Sequence, residues 1–129
     1  NDAKWVGVEA WETYIGEYNL VSKYDKIYNE DIRTFDWSKE NNIDLVIFGD
    51  VLEHMTKEEA QAAVNEALKN SKYVVISIPI KYMAQGAEHG NPFEIHVKPD
   101  WSHEEVLESF PNIVNNMPVK KIGVYWLES

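Results

Sequence analysis

The stretch that decides the fold is Ile43–Ile80, IDLVIFGDVLEHMTKEEAQAAVNEALKNSKYVVISIPI. Leu45, Val46, Ile47 and Phe48 run without a polar break, as expected of a strand covered on both faces. Thr56 followed by Glu59 fits a capping box, in which each side chain satisfies a free backbone donor, and predicts a helix to about Lys69. Ala60, Ala63, Val64, Ala67 and Leu68 fall three or four apart and make its buried stripe, with Glu58, Gln61 and Asn65 facing outward. KYVVISIPI is a second buried strand, and Pro79 ends its ladder because proline cannot donate. Two apolar strands joined through a helix imply a right-handed parallel crossover.

Toward the N-terminus, KWVGVEA predicts a short strand with Glu9 at its carboxyl end. A helix is expected from about Glu12 to Ser22, with Tyr14, Ile15, Tyr18 and Val21 on one face. A short strand follows around Lys26 to Asn29. Toward the C-terminus, residues 81–100 form a long irregular segment, a kind of connection that more often carries function than not. Ser102 with Glu105 makes a second capping box for a helix that Pro111 stops. IVNNMPVKKIGVYWLES predicts an antiparallel hairpin whose last strand is Ile122 to Leu127. The expectation is one α/β domain over residues 1–129, its sheet mostly parallel with a C-terminal antiparallel hairpin.

Composition narrows the function. Twelve Lys and Arg stand against 22 Asp and Glu, a net charge of -10 that repels polyphosphates and argues against non-specific nucleic-acid binding. No cysteine is present, which excludes disulfides, thiolate zinc sites and thiol nucleophiles. No apolar run approaches the roughly 20 residues that cross a bilayer, and the opening residues lack the basic start and apolar core of a signal peptide. A cytoplasmic protein with a small polar substrate and no membrane partner is the resulting expectation.

The order of elements and the DVLEH run at positions 50–54 resemble the class I S-adenosylmethionine-dependent methyltransferases. The likeness spans essentially the whole chain: VGVEAW looks like the end of that family's second strand, NEDIRTFDW like the acidic turn after its third, and GNPFEIHVKPDWSHEEV like a later substrate-side segment. It implies a Rossmann-like sheet, S-adenosylmethionine as cofactor and methyl transfer to a nucleophilic oxygen, nitrogen or carbon. The family's opening strand and Gly-rich loop have no counterpart, since the glycines at 7, 16, 49, 86, 90 and 123 form no cluster. The chain therefore resembles a member truncated at its N-terminus, beginning at the second strand. The strand without a counterpart lies mid-sheet in the family. Three outcomes stay open: direct pairing of Trp5–Glu9 with Leu45–Gly49, completion by another copy or a complementing chain, or a gene fragment. An inactive methyltransferase-like binding module is the alternative to an enzyme.

The resemblance also implies site residues. Glu9, at the end of a parallel strand, would accept hydrogen bonds from both ribose hydroxyls, and Trp11 would stack near adenine. Asp31 would receive the adenine amino group with the Ile32 backbone at the ring edge, while Gly49 and Asp50 would face the methyl donor. Asp50, Glu53 and His54, at offsets of three and four, come together if DVLEHM makes a helical turn. That turn resembles the divalent-metal arrangement of certain O-methyltransferases, with His96 or His89 as a further ligand. The favoured reading is nonetheless no metal, with Glu53 and His54 capping and orienting the next helix. Without a metal, His54 or His96 is the candidate general base, imidazole being the side chain that titrates near neutrality. Asn91, Phe93, Glu94 and Trp101 lie in or beside the segment that resembles a substrate lid, and Phe93 and Trp101 are candidate pocket walls.

Overall fold

The computed structural model describes residues 3–129. They form two compact units, one up to Asp36 and the other Trp37–Ser129. In the first, strand β1 (Val6–Val8) pairs in parallel with β2 (Lys26–Tyr28), Val6 opposite Lys26 and Val8 opposite Tyr28. Between them the expected single helix is two short ones, α1 (Glu12–Glu17) and α2 (Leu20–Lys23). The break is Asn19, in the left-handed region at φ 51°, a conformation Asn tolerates better than most residues. Of the apolar face read from the sequence, Tyr14 is buried, whereas Tyr18 and Val21 are exposed.

The second unit is built on a four-stranded sheet in the order β3-β4-β6-β5. Strand β3 (Ile43–Gly49) runs parallel to β4 (Ser71–Pro79), with helix α3 (Lys57–Asn70) between them in sequence. Strands β5 (Ile113–Val119) and β6 (Ile122–Glu128) form the hairpin, and β6 lies antiparallel to β4. The capping box is complete: Thr56 Oγ1 accepts from the Glu59 N–H at 3.1 Å, and Glu59 Oε1 from the Thr56 N–H at 2.9 Å. The stripe Ala60, Ala63, Val64, Ala67 and Leu68 is buried as its spacing requires.

Helix α4 (His103–Ser109) begins on Ser102, whose Oγ accepts from the Glu105 N–H. Glu105 does not close a second box, because its carboxylate turns to Lys57 and Lys98 at 3.5 and 2.9 Å. The core of this unit gathers Phe48, Val74, Ile76, Ile78, Val106, Tyr125 and Leu127, all buried. Period-2 alternation sends Leu45 and Ile47 to the other face, where they are 38% and 53% exposed. β3 is thus covered on one face, not on both as its unbroken apolar run suggested.

Among the described residues β1 pairs with β2 alone and β3 with β4 alone, so each leaves one edge without a strand. No helix among them is long and apolar enough to cross a membrane.

Candidate functional site

In the second unit the carboxyl ends of β3 and β4 open onto a cavity of about 500 Å³. Its floor starts where β3 stops. Gly49 leaves open space in front of its Cα, and Asp50 takes the left-handed conformation at φ 54°. Asp50 is held to β4: its N–H donates to the Ser77 carbonyl at 2.9 Å, and Ser77 Oγ donates to Asp50 Oδ1 at 3.3 Å. DVLEH then makes a 3₁₀ turn, Leu52–His54, anchored by the buried side chains of Leu52 and Met55. Asp50 lies outside that turn, so helical offsets do not carry its carboxylate alongside Glu53 and His54.

The opposite wall comes from the long irregular segment, which backbone hydrogen bonds fold onto the turn. Met83 N–H donates to the Pro99 carbonyl (2.9 Å), His96 N–H to Gln85 (3.0 Å) and Lys98 N–H to Glu53 (3.1 Å). Gln85 Nε2 donates to the Glu94 carbonyl at 2.7 Å. Lys98 fixes the far end through ion pairs to Asp100 and Glu105, both 2.9 Å, with its ammonium 4.7 Å from the centre of the Trp101 ring. Met83, Gln85, Glu94 and His96 thereby face Gly49, Asp50, Glu53 and His54 across the cavity, with Pro79 and Ile122 completing the lining.

The electrostatics of this pocket are acidic. Glu53 is only 3% exposed, and its Oε1 has no hydrogen-bond partner. Burial pushes its carboxyl up to about 7; its own backbone N–H works against the rise, and the negative charges of Asp50 and Glu94 add to it. Each imidazole beside it is oriented by a backbone carbonyl: His54 Nδ1 lies 3.1 Å from the Ile95 oxygen, and His96 Nδ1 lies 2.7 Å from the Met83 oxygen. A carbonyl only accepts, so both Nδ1 atoms donate, and in the neutral ring Nε2 keeps its lone pair. One carboxylate oxygen of Glu53 and one ring nitrogen each of His54 and His96 lie within 4.8 Å of one another. These three residues, not Asp50 with Glu53 and His54, are the set the structure brings to metal-ligand spacing.

The first unit holds the other residues singled out from the sequence. Glu9 follows β1, its N–H bonded to the Tyr28 carbonyl, and its Oε2 accepts from the Trp11 N–H at 3.0 Å. Asn29 Nδ2 donates to the Glu9 carbonyl at 2.8 Å, tying the ends of β1 and β2 together. Asp31, next to the half-buried Ile32, accepts from Arg33 through both carboxylate oxygens, at 2.6 to 3.1 Å. That guanidinium holds the Asp31 carboxyl below its ordinary range against the opposing effect of burial.

Of the loop residues read from the sequence, Glu94 and His96 line the cavity, while His89, Asn91, Phe93 and Trp101 do not. Trp101 is a core residue stacked on Phe110, and buried Asn91 caps a short 3₁₀ turn by accepting from the Phe93 N–H. Met83, Gln85 and Arg33 carried no signal in the sequence, and Pro79 and Ile122 were legible only as strand ends. The return of the loop onto the turn places Met83 and Gln85, the β4–β6 pairing places Pro79 opposite Ile122, and the planar fork of Arg33 two residues from an Asp places Arg33.

No protein-family model matches the sequence, and no curated protein matches it. Solved structures do match in shape. A S-adenosylmethionine-dependent methyltransferase from Clostridium acetobutylicum superposes with a TM-score of 0.73 at 8% identity, over 98% of this chain and 75% of that one. Magnesium protoporphyrin IX methyltransferase from Synechocystis PCC 6803, solved with bound SAM, gives 0.67 at 14% identity, over 98% and 60%. The N-terminal domain of EvdMO1, solved with SAH, gives 0.68 at 14% identity, over 98% and 65%. The fold is that of the class I methyltransferases. The chain spans about two-thirds or less of the length of the EvdMO1 and magnesium protoporphyrin structures. In this fold the ends of β3 and β4 occupy the edge of an open α/β sheet where ligands are commonly held.

Proposed function

We propose that the chain carries S-adenosylmethionine-dependent methyl transfer to a small polar acceptor. The observation that carries this reading is the cavity at the carboxyl ends of β3 and β4, lined by Gly49, Asp50, His54 and His96, in a fold shared with structures solved with SAM and SAH. The residues fit such a cofactor: no atom would meet a Cβ at Gly49, so a ligand can approach its backbone closely, and Glu9 keeps a carboxylate at a parallel strand end. When bound, the cofactor supplies an electrophilic sulfonium methyl.

Glu9 would accept from the ribose hydroxyls beside Trp11, and Asp31 with the Ile32 backbone would take the adenine edge. Gly49 and Asp50 would border the methionine portion. His54 and His96 offer bare Nε2 lone pairs toward the cavity, either of which would take the acceptor's proton as the methyl is transferred. Alignment of the acceptor with the methyl group supplies most of the catalysis, with proton removal secondary.

The test is calorimetric titration of S-adenosylmethionine and S-adenosylhomocysteine into the purified chain. One-to-one binding that is lost in Glu9→Ala supports the enzyme, and acceptor screening follows. Absence of heat, with no thermal shift at high ligand, instead supports an inactive module or a chain that needs a complementing partner at its open strand edges.

A further inference from the structure

We propose that the cavity at the ends of β3 and β4 binds the ammonium group of a small amine, with Glu53 and Glu94 as its charge partners and His54 and His96 as neutral acceptors. The binding site stands on the second unit alone. That the amine nitrogen is also the methyl acceptor rests on the reading above.

The lining offers side-chain acceptors and no free side-chain donor. Asp50, Glu53 and Glu94 contribute three carboxyl groups, and no Lys or Arg stands among the lining residues. His54 and His96 give their Nδ1 protons to the carbonyls of Ile95 and Met83, at 3.1 and 2.7 Å, so each neutral ring presents Nε2 as a lone pair. Gln85, the one side-chain amide of the lining, directs its Nε2 to the Glu94 carbonyl at 2.7 Å and to Glu94 Oε2 at 3.3 Å. The donors of the lining side chains are thus engaged within the protein, whereas lone pairs remain.

The independent observation is Glu53 itself. It is 3% exposed, its Oε2 lies 3.8 Å from His54 Nε2, and its Oε1 has no hydrogen-bond partner. A buried carboxylate without a partner is costly, and a cation carrying N–H donors removes that cost. The lysine bonded to this turn is committed elsewhere. The Lys98 N–H donates to the Glu53 carbonyl, while the Lys98 ammonium pairs with Asp100 and Glu105, 2.9 Å from each.

These features select the ligand. A primary ammonium group brings three donors and no acceptor, and its charge complements the carboxyl groups. A hydroxyl brings one donor and no charge. A carboxylate or phosphate brings negative charge and is repelled by the same groups. Pro79, Met83 and Ile122 supply an apolar wall for a short carbon body. For methyl transfer the ammonium first gives one proton to Nε2 of His54 or His96. The freed nitrogen pair then forms the N–C bond, the pair of the broken methyl–sulfur bond stays on sulfur, and the product leaves as a methylated ammonium.

The experiment titrates the full chain with butylamine, butanol, butyrate and tetramethylammonium at about pH 8, followed by ¹H–¹⁵N NMR, which reads millimolar affinities. Butylamine, charged at this pH as a Lys side chain is, should give saturable one-to-one shifts at the amides of Gly49, Glu53, Gln85 and His96. It should bind at least tenfold more tightly than butanol or butyrate, which share its carbon chain, and than tetramethylammonium, which is charged but has no N–H. Glu53→Gln should weaken butylamine binding at least tenfold and Glu94→Gln at least threefold. Glu108→Gln, which removes an exposed charge outside the lining, should leave it unchanged. Glu53→Gln removes a buried charge, so it should melt no lower than the wild type, which separates lost binding from lost folding. The site is overturned by the absence of saturable shifts, by any of the other three probes binding as tightly as butylamine, or by a folded Glu53→Gln protein that binds like the wild type. A repeat with saturating S-adenosylhomocysteine tests the acceptor role. Butylamine retained beside bound S-adenosylhomocysteine supports that role, whereas its displacement assigns the site to the cofactor's own ammonium group and overturns it. Butylamine binding in a chain that takes up no S-adenosylhomocysteine upholds the amine site and counts against the methyl-transfer reading instead.

Discussion

His54 and His96 meet edge to face, their ring centroids 4.9 Å apart at 66°, although 41 residues separate them in sequence. The contact fixes the loop segment onto the 3₁₀ turn, and the carbonyls of Ile95 and Met83 decide which ring nitrogen carries the proton. We expect both rings, in the metal-free neutral form, to be Nδ1–H tautomers. Long-range ¹H–¹⁵N correlation spectra read this directly, since a bare Nε2 has a distinct nitrogen shift. An Nε2–H tautomer at either ring would contradict the orientation and remove that ring as a base.

Glu53 makes stability depend on pH in the metal-free protein. Its carboxyl is raised from 4.5 to about 7, chiefly by burial, so the folded state holds the proton more tightly than the unfolded state does. The stabilisation is full below the unfolded value and is lost as pH rises through the folded one. Linkage at about 1.4 kcal/mol per pKa unit sets the loss between pH 4.5 and 7 at roughly 3 kcal/mol. Urea unfolding of wild type and Glu53→Gln across that range should give curves that converge at low pH and separate upward, the variant being the more stable at pH 8. Parallel curves would mean that the carboxyl titrates normally.

How far the sequence foretold this molecule depends on how local each signal was. The order of elements, the parallel β3–β4 pair and the cap on α3 were legible because Thr56, Glu59 and the alanine stripe act within one or two turns. What failed was coverage. Leu45, Ile47, Tyr18 and Val21 have the right spacing for buried faces, yet spacing does not say whether another element lies opposite. In the site, Gly49, Asp50, Glu53 and His54 were adjacent in sequence and easily grouped. Assigning His96 rather than His89 or Asp50 to the cluster needed the left-handed turn at Asp50 and the hydrogen bonds that return residues 83–98 onto Glu53. Trp101 is a core residue because an aromatic beside a loop serves a core as readily as a pocket, and Phe93 is exposed outside the cavity lining.

The cap on α3 bears on the site, because only Met55 and Thr56 separate the end of the 3₁₀ turn from the start of this helix. Thr56→Ala removes the acceptor for the Glu59 N–H and should cost about 1 kcal/mol, whereas Thr56→Ser, which keeps the hydroxyl, should cost much less. Chemical denaturation measures both. A cost for serine equal to that for alanine would assign the effect to the lost methyl group and not to the cap.

Asp31 and Arg33 offer the sharpest test in the first unit. The guanidinium meets both carboxylate oxygens, and this contact more than any other lowers the carboxyl. A depressed folded pKa contributes stability above the unfolded value, and that contribution is lost as pH falls through the folded one. Arg33→Gln should therefore move the Asp31 carboxyl upward in a ¹³C-detected titration and flatten the acid side of the stability profile. The shift should be partial, because the Arg33 backbone N–H still donates to Asp31 Oδ1 at 2.9 Å. The same variant probes the adenine role. If Asp31 receives an adenine amino group, releasing it from Arg33 should change S-adenosylhomocysteine affinity, and Asp31→Ala should weaken it at least tenfold. If both variants bind as the wild type does, Asp31 is a structural partner of Arg33 and has no part in the cofactor site.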